Sequence, residues 1–97
     1  MRIIARSTLR KFWEAYPDAE QPLKAWFDEA SRAELDSPAD IKSTYRNTSI
    51  IANNRVVFNI KGNDYRLIVH IRYDIGIIFI PFLGTHKEYD KVDATSI

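Results

Sequence analysis

The sequence lacks several features that would assign it to well-known protein classes. It has no cysteine among its 97 residues, which excludes disulfides, thiolate catalysis and zinc-cysteine sites and fits a reducing cytoplasm. No long apolar stretch follows the basic opening MRIIARSTLRKF, so this opening does not predict a signal peptide. The longest apolar run, residues 75–83, is far too short to span a bilayer. We therefore expect a cytoplasmic protein without membrane contacts, folded as one domain over residues 1–97.

Positive charge is distributed unevenly along a chain whose formal net charge is only +1. Residues 1–40 carry six Lys or Arg and eight Asp or Glu. Residues 55–72 carry four cations and one carboxylate. These are Arg55, Lys61, Arg66, Arg72 and Asp64. Such a segment can attract a polyanion, although an ordinary solvated sheet face would have the same composition.

Two stretches near the start have the spacing of amphipathic helices. Their apolar residues recur at i, i+3, i+4 and i+7: Leu9, Phe12, Trp13 and Tyr16, then Leu23, Trp26, Phe27 and Ala30. Ser7 is a candidate N-cap, Pro17 should end the first helix, and Pro22 suits the first turn of the second. We expect both apolar stripes to pack into the core of a helical hairpin.

A third, shorter helix is predicted from Ser37-Pro38-Ala39-Asp40 to about Tyr45. Serine can cap a helix, proline fits its first position, and an aspartate favours its positive end. Residues 46–54 indicate a turn-rich passage with a short strand at its centre.

The second half has the alternating pattern of β-strands. Residues 2–5 already suggest a short opening strand, and residues 55–61, 65–72 and 77–83 predict a three-stranded meander with turns at 62–64 and 74–76. Because residues 77–83 are almost wholly apolar, we expect a strand buried on both faces. One helical turn carrying Tyr89 is expected after Thr85. The fold class is therefore α+β, with helices covering one face of the sheet.

The alternation places several polar side chains on one side of the sheet. Arg66, His70 and Arg72 share a side of one strand, and Asn59 and Lys61 share a side of the preceding strand. His86 and Tyr89 follow directly after the last strand. Such a set suits RNA cleavage by the RNA's own 2′-hydroxyl, which needs a base, an acid and positive charge at the phosphate. Because only two histidines are present and no metal-ligand spacing accompanies them, we expect no metal and no cofactor.

Two segments resemble a known protein family. The run VVFNIKGNDYRLIVHIRYD, residues 56–74, and the run FLGTHKEYDKVD, residues 82–93, are similar to the HigB toxins of type II toxin–antitoxin systems. The resemblance implies a RelE-like fold, in which two N-terminal helices pack on a small, mostly antiparallel sheet. It implies an endoribonuclease that cleaves mRNA, usually on the translating ribosome. It also implies a HigA-type antitoxin with a helix-turn-helix. The toxin would contact operator DNA only indirectly, through this antitoxin.

The resemblance also suggests roles for individual residues. Arg66 takes the position of the basic residue that holds the scissile phosphate, and His86 that of a second basic residue after the last strand. The nearest match to a C-terminal catalytic tyrosine is Tyr89. We expect His86 to act as acid or base, with Tyr89 or Lys61 as the other proton carrier or orienter. We expect RNA contacts from five further residues: Asn59, Asn63, Arg55, Arg72 and Lys87.

Two positions depart from the family pattern. Pro81 stands where an arginine is usual, and proline removes both a positive charge and a backbone donor from a strand. Leu35 stands where a tryptophan is common, which concerns packing. These departures leave open an attenuated toxin. A non-catalytic module that binds RNA or protein, or a chain acting mainly within an antitoxin–operator assembly, is the other alternative.

Overall fold

A computed structural model of the protein describes residues 1–45 and 48–97, so the first two residues of the expected turn-rich passage, Arg46 and Asn47, lie outside the described residues. The elements, in chain order, are β1 (Arg2–Ile4), α1 (Arg6–Ala15), a 3-10 turn (Pro17–Ala19), α2 (Glu20–Arg32), α3 (Pro38–Thr44), β2 (Thr48–Ile51), β3 (Arg55–Ile60), β4 (Tyr65–Arg72), β5 (Ile77–Thr85) and α4 (His86–Tyr89). No helix in this part of the chain combines the length and apolarity needed to cross a membrane.

The strands form one five-stranded sheet in the order β1-β5-β4-β3-β2. The pairs β2–β3, β3–β4 and β4–β5 are antiparallel, whereas β1 pairs with β5 in parallel. This arrangement confirms the α+β class, the mostly antiparallel sheet, the meander and the short opening strand. The strand expected within residues 46–54 is β2.

The helix boundaries follow the proline signals more closely than the expected caps. The helix α1 ends before Pro17, as expected, but it begins at Arg6 with Ala5 as its N-cap, so the prediction of Ser7 as the cap is wrong. The reason is that β1 leads into the helix after a single extended residue, which places Ser7 inside the first turn. Ser37 does occupy the N-cap of α3, although its side chain makes no capping bond.

The main core lies between the helices and one face of the sheet. It is built from the apolar stripes of the two long helices and from alternate strand residues: Leu9, Leu23, Trp26, Ala30, Val56, Phe58, Ile60, Tyr65, Leu67, Val69, Ile71 and Ile78. The expectation that both stripes pack into the core is confirmed except at Tyr16, which is 36% exposed and lies against the rings of Phe12 and Tyr65. Leu35 and Ile41, from the segment after α2, are buried in the same cluster, so Leu35 has a packing role.

The strand β5 is less buried than its composition predicts. Only Ile78 and Gly84 are buried, and Pro81 is exposed, so the expectation of a strand buried on both faces is wrong. The reason is twofold: β1 borders only residues 77–79, and the two long helices α1 and α2 both pack on the same face of the sheet. The pairing of β5 with β4 also shifts between Ile68 and His70, and Pro81 lies in this interruption, where a missing backbone donor is tolerated.

A polar clamp joins the helical layer to the turn between β3 and β4. The Asp18 carboxylate accepts a hydrogen bond from Lys61 Nζ at 2.5 Å and another from the Tyr65 hydroxyl at 2.5 Å. These two donors lower the pKa of Asp18 below its ordinary value, mainly through the bond from Lys61. The bond to Asp18 in turn raises the pKa of Tyr65 to about 12. The clamp therefore requires an ionised aspartate.

We predict that Asp18→Asn lowers the free energy of unfolding at neutral pH. Because the pKa of Asp18 is lowered in the folded state, its contribution is present above the unfolded pKa and is lost as the pH falls through the folded value. The difference between wild type and variant should therefore shrink on acidification, as measured by urea unfolding at several pH values. The control, Asp28→Asn, removes an exposed pair with Arg32 and should have little effect. Equal stability of Asp18→Asn and wild type at pH 7 would contradict the clamp.

Candidate active site

Arg66 lies on the face of the sheet that points away from the helices. In the sheet register it stands opposite Asn59 of β3 and Gly84 of β5. Arg66 Nη1 donates to Oδ1 of Asn59 and, at 3.3 Å, to Oδ1 of Asn63. Within residues 1–45 and 48–97, no carboxylate lies within ion-pair distance of Arg66. Its guanidinium is therefore held by neutral oxygens and keeps an uncompensated positive charge.

The turn between β3 and β4 brings Asn63 to this arginine. Lys61 and Gly62 have φ angles of 51° and 63°, and the Asp64 N–H donates to the Lys61 carbonyl at 3.2 Å. The left-handed backbone at two successive residues reverses the chain tightly, which favours glycine at the second of them. As a result, Asn63 and Asn59 reach the same guanidinium nitrogen from the turn and from the neighbouring strand.

The short helix α4 carries Tyr89 to the other side of the arginine. The Tyr89 ring centroid lies 5.6 Å from Arg66 Cζ, a cation–π contact. A capping box fixes the start of this helix: Thr85 Oγ1 accepts from the Glu88 N–H at 3.2 Å, and Glu88 Oε1 accepts from the Thr85 N–H at 2.9 Å. The position of Tyr89 thus depends on two residues that do not themselves touch Arg66.

His86 is the first residue of α4 and lies at the same end of the sheet. Its backbone N–H donates to the Asp64 carbonyl at 3.2 Å, which ties it to the chain two residues before Arg66. Its side chain is exposed, and Nδ1 lies 3.4 Å from Oδ2 of Asp90. Among the residues that the structure describes, this is the one ion-pair contact of the imidazole, and it leaves Nε2 available to a ligand.

Gly84 provides the space in which these elements meet. A Cβ at this residue would lie 2.7 Å from Cζ of Phe82 and 3.2 Å from Oε1 of Glu88. The Phe82 ring and the carboxylate of the capping box therefore occupy the place that a side chain opposite Arg66 would fill. A side chain at residue 84 would require the Phe82 ring and the Glu88 carboxylate to move.

The structure does not bring all the predicted residues together. Lys61 extends towards the helical layer, where its ammonium contacts Asp18 at 2.5 Å and Asp64 at 3.6 Å, and its bond to Asp18 raises its pKa. The expectation that Lys61 shares a side with Asn59 is therefore wrong, because the chain leaves the strand at Ile60 and Lys61 adopts a positive φ. Its catalytic role stays a prediction.

The other predicted cations lie farther along the same face. Arg72 is six residues beyond Arg66 on β4, about 20 Å at the rise of a strand, and pairs with Asp74 at 3.0 and 2.8 Å. Arg55 stands opposite His70 and donates to the carbonyls of Asn53 and Ile97. Lys87 is exposed on α4. This face therefore carries cations on both sides of the buried pair Val57 and Ile68, and several of these cations are already engaged.

The pKa of His70 is lowered mainly by burial and further by the nearby charges of Arg55 and Arg72. The neutral imidazole is therefore favoured, and its ring lies 6.2 Å from that of Phe79. His70 therefore packs beside Phe79 as a neutral side chain and lies near two arginines.

Sequence reasoning missed three residues that shape this site: Gly84, Glu88 and Asp90. For Glu88 a signal was present, since T-x-x-E at residues 85–88 is the pattern of a capping box. The other two needed coordinates, because the roles of Gly84 and Asp90 depend on how closely other groups approach them. Within the described ranges 1–45 and 48–97, no group of three or more metal-ligating side chains is found.

The sequence of this chain is similar to a known protein family. The family of HigB toxins, described as the RelE-like toxic component of a toxin–antitoxin system, matches residues 19–92. This match covers most of the chain, including all the site residues described above. The chain belongs to the HigB toxin family. Membership in a family of toxic components implies an antitoxin as the partner of this HigB-family chain.

Individual relatives agree with this assignment at low identity. The "mRNA interferase toxin HigB" of Escherichia coli (strain K12) is 25% identical over 92 residues, which cover 93% of this chain and 88% of that protein. The "mRNA interferase HigB" of Escherichia coli O6:H1 is 22% identical over 94 residues, covering 95% and 91%. The HigB-family chain is thus similar to these interferases over nearly its whole length.

Proposed function

We propose that this chain is an endoribonuclease toxin that cleaves mRNA at the face formed by Arg66, Tyr89 and His86. The single observation that carries the proposal is the uncompensated guanidinium of Arg66, held between two asparagine oxygens and an aromatic ring on an exposed face. The names of the relatives, mRNA interferases, support the same activity.

The reaction that fits these residues uses the RNA's own 2′-hydroxyl. This oxygen attacks the adjacent phosphorus and gives up its proton to a base, while the bond from phosphorus to the 5′-oxygen breaks and that oxygen takes a proton from an acid. A 2′,3′-cyclic phosphate and a 5′-hydroxyl are formed. Negative charge accumulates on the phosphate oxygens in the transition state, and a fixed guanidinium stabilises it.

Two side chains are proposed to carry the protons. His86 is one of them, because histidine is the commonest proton carrier in catalysis and Asp90 holds its Nδ1 while Nε2 stays free. For the second carrier, Tyr89 is favoured over Lys61, since Tyr89 contacts Arg66 whereas Lys61 is bound to Asp18. Either His86 or Tyr89 can be the base. Asn59 and Asn63 orient Arg66 and line its approach, and Arg55, Arg72 and Lys87 are proposed to hold the flanking phosphates.

The proposed partners follow from the same assignment. The substrate is mRNA, bound on the translating ribosome, and the neutralising partner is a HigA-type antitoxin with a helix-turn-helix. Contact with operator DNA would occur only through that antitoxin. No metal is required, because the guanidinium supplies the positive charge at the phosphate.

We predict that Arg66→Ala reduces mRNA cleavage by about 100-fold or more, because a charge that stabilises the transition state is removed. Primer extension on a translated reporter message, which reveals new 5′ ends, measures the effect. A second message lacking a start codon reports whether cleavage requires translation. The control is Arg32→Ala, which removes the same residue type from the end of α2, in the helical layer on the opposite side of the sheet. Undiminished cleavage by a folded Arg66→Ala protein would refute the site.

Two substitutions distinguish the contribution of the Tyr89 ring from that of its hydroxyl. We predict that Tyr89→Phe, which keeps a ring beneath Arg66, loses most of the cleavage activity if the hydroxyl carries a proton. Tyr89→Leu, which also removes the cation–π contact, should bind substrate more weakly as well. Single-turnover kinetics distinguish a loss in the chemical step from a loss in binding. Full activity of Tyr89→Phe would remove the hydroxyl from the mechanism and leave Tyr89 as a positioning residue.

One specific observation favours a second candidate, an attenuated toxin. Pro81 is exposed and lies where the β4–β5 pairing is interrupted, at the position to which the resemblance assigns an arginine. In this second proposal the chain still binds RNA and antitoxin, but it cleaves slowly because one cation is missing from the site.

The Pro81→Arg variant separates the two candidates. If the chain is attenuated, induction of Pro81→Arg should arrest growth and increase new 5′ ends, whereas induction of the chain with Pro81 should do neither. Pro81→Ala is the control, because it restores the backbone donor without the charge. Growth arrest by the chain carrying Pro81 would show that no attenuation exists.

A further inference from the structure

A second charged surface lies on the helical side of the molecule, away from the Arg66 face. It is a groove between the outer faces of α1 and α2, made of two adjoining depressions of about 310 Å³ and about 490 Å³. Both are lined by Arg6, Trp13 and Lys24; Arg10 lines the first, and Phe27 the second. The proposed function uses none of these residues.

The groove combines cations with half-buried aromatic rings. Arg6 Cζ lies 5.0 Å from the ring centroid of Phe27, and Lys24 Nζ lies 5.4 Å from that of Trp13. These two rings lie at the edge of the core, where each is only partly covered. Aromatic residues and arginine are the types enriched in protein interfaces, because they combine a large contact area with specific polar contacts.

The charges of the groove define the chemistry of an occupant. Its lining contains three cations, Arg6, Arg10 and Lys24, and one carboxylate, Asp28. Asp28 is already paired with Arg32 at 3.2 Å. Among the residues the structure describes, Arg6 takes part in no ion pair. Arg6 is therefore the cation of this lining that is available to pair with a negatively charged group.

The rim of the groove argues against a nucleic acid. Glu14 lies 3.8 Å from Arg10, and Glu20 lies 2.5 Å from Lys24, so carboxylates accompany two of the three cations. A phosphate backbone carries a charge at every nucleotide and would meet these carboxylates. A peptide can instead present a single acidic side chain to Arg6 and apolar side chains to the rings, which suits a mixed lining.

We propose that this groove between α1 and α2 binds an acidic, partly apolar segment of the antitoxin. The family implies an antitoxin partner, and the groove offers the charge complementarity and aromatic anchors that such a partner needs. This proposal is independent of RNA cleavage, because it concerns residues on the side of the helices that faces away from the sheet.

The test is the affinity of the toxin for the purified antitoxin encoded by the neighbouring gene, measured by calorimetry. Arg6→Glu should weaken binding at least tenfold, because an attractive charge becomes a repulsive one, and the affinity should become less dependent on salt. A glutamate in the first turn of α1 is favourable for the helix, so the variant should fold. Lys11→Glu is the matched control, since it makes the same charge change on the same helix outside the groove and should bind normally.

Each alternative result overturns the proposal. Normal binding by Arg6→Glu, or equal weakening by Arg6→Glu and Lys11→Glu, would show that the groove is not the antitoxin site. Loss of ribosome or RNA binding with unchanged antitoxin affinity would make the groove an RNA surface instead. Arg66→Ala should bind the antitoxin with unchanged affinity, so failure of the cleavage hypothesis would leave this measurement interpretable.

A second measurement needs no substitution. The chain has two tryptophans: Trp13, half-buried in the groove, and Trp26, which is 5% exposed in the core. In toxin labelled with 5-fluorotryptophan, addition of unlabelled antitoxin should shift the Trp13 ¹⁹F resonance and leave that of Trp26 nearly unchanged. A Trp13 resonance that does not move at saturating antitoxin would overturn the proposal.

Discussion

The alternation of side chains along β4 is the constraint on which both the core and the candidate site depend. This strand is third of the five in the sheet, so both its edges are paired and its register is fixed by β3 and β5. Leu67, Val69 and Ile71 point towards the helices and are fully buried, while Arg66 points to the other face. A slip of one residue would exchange the two sets. The burial energy of the core therefore also holds the arginine outside.

Neighbouring groups decide what each cation of this sheet can do. Arg66 and Arg72 lie on one strand and one face, yet Arg72 is neutralised by Asp74, whereas Arg66 meets only neutral oxygens and a ring. Lys61 is close in sequence to Arg66 but serves the clamp on Asp18. A phosphate must compete with any carboxylate that already pairs with a cation. Residue type alone therefore does not identify the cation that binds phosphate. Among the described residues, Arg66 on the proposed nuclease face and Arg6 in the proposed antitoxin groove are cations without such a partner.

Much of the fold could be predicted from hydrophobic periodicity and from the residues that end helices or form turns. The stripes ending at Tyr16 and Ala30, the stop at Pro17, the two tight turns and the helical turn carrying Tyr89 all match the structure. Local rules failed where a neighbouring element decided the outcome. Ser7 lies within a helix because β1 places its start earlier, and residues 77–83 are partly exposed because β1 is short. For the site, the convergence of Asn59 and Arg66 followed from strand pairing, whereas the departure of Lys61 depended on one positive φ.

Residue types and their spacing were enough to predict the fold class, the strand order of the meander, the family and the presence of basic residues on one face, because these features depend on short-range patterns along the chain. The three-dimensional arrangement was needed to show that Arg66 lies between neutral oxygens and a ring, and that Asp90 lies beside Nδ1 of His86. It was also needed to show that neighbouring side chains fill the space beside Gly84 and that a groove lies between the two long helices. Each of these depends on distances between groups far apart in the chain, and short-range spacing carries no information about such distances.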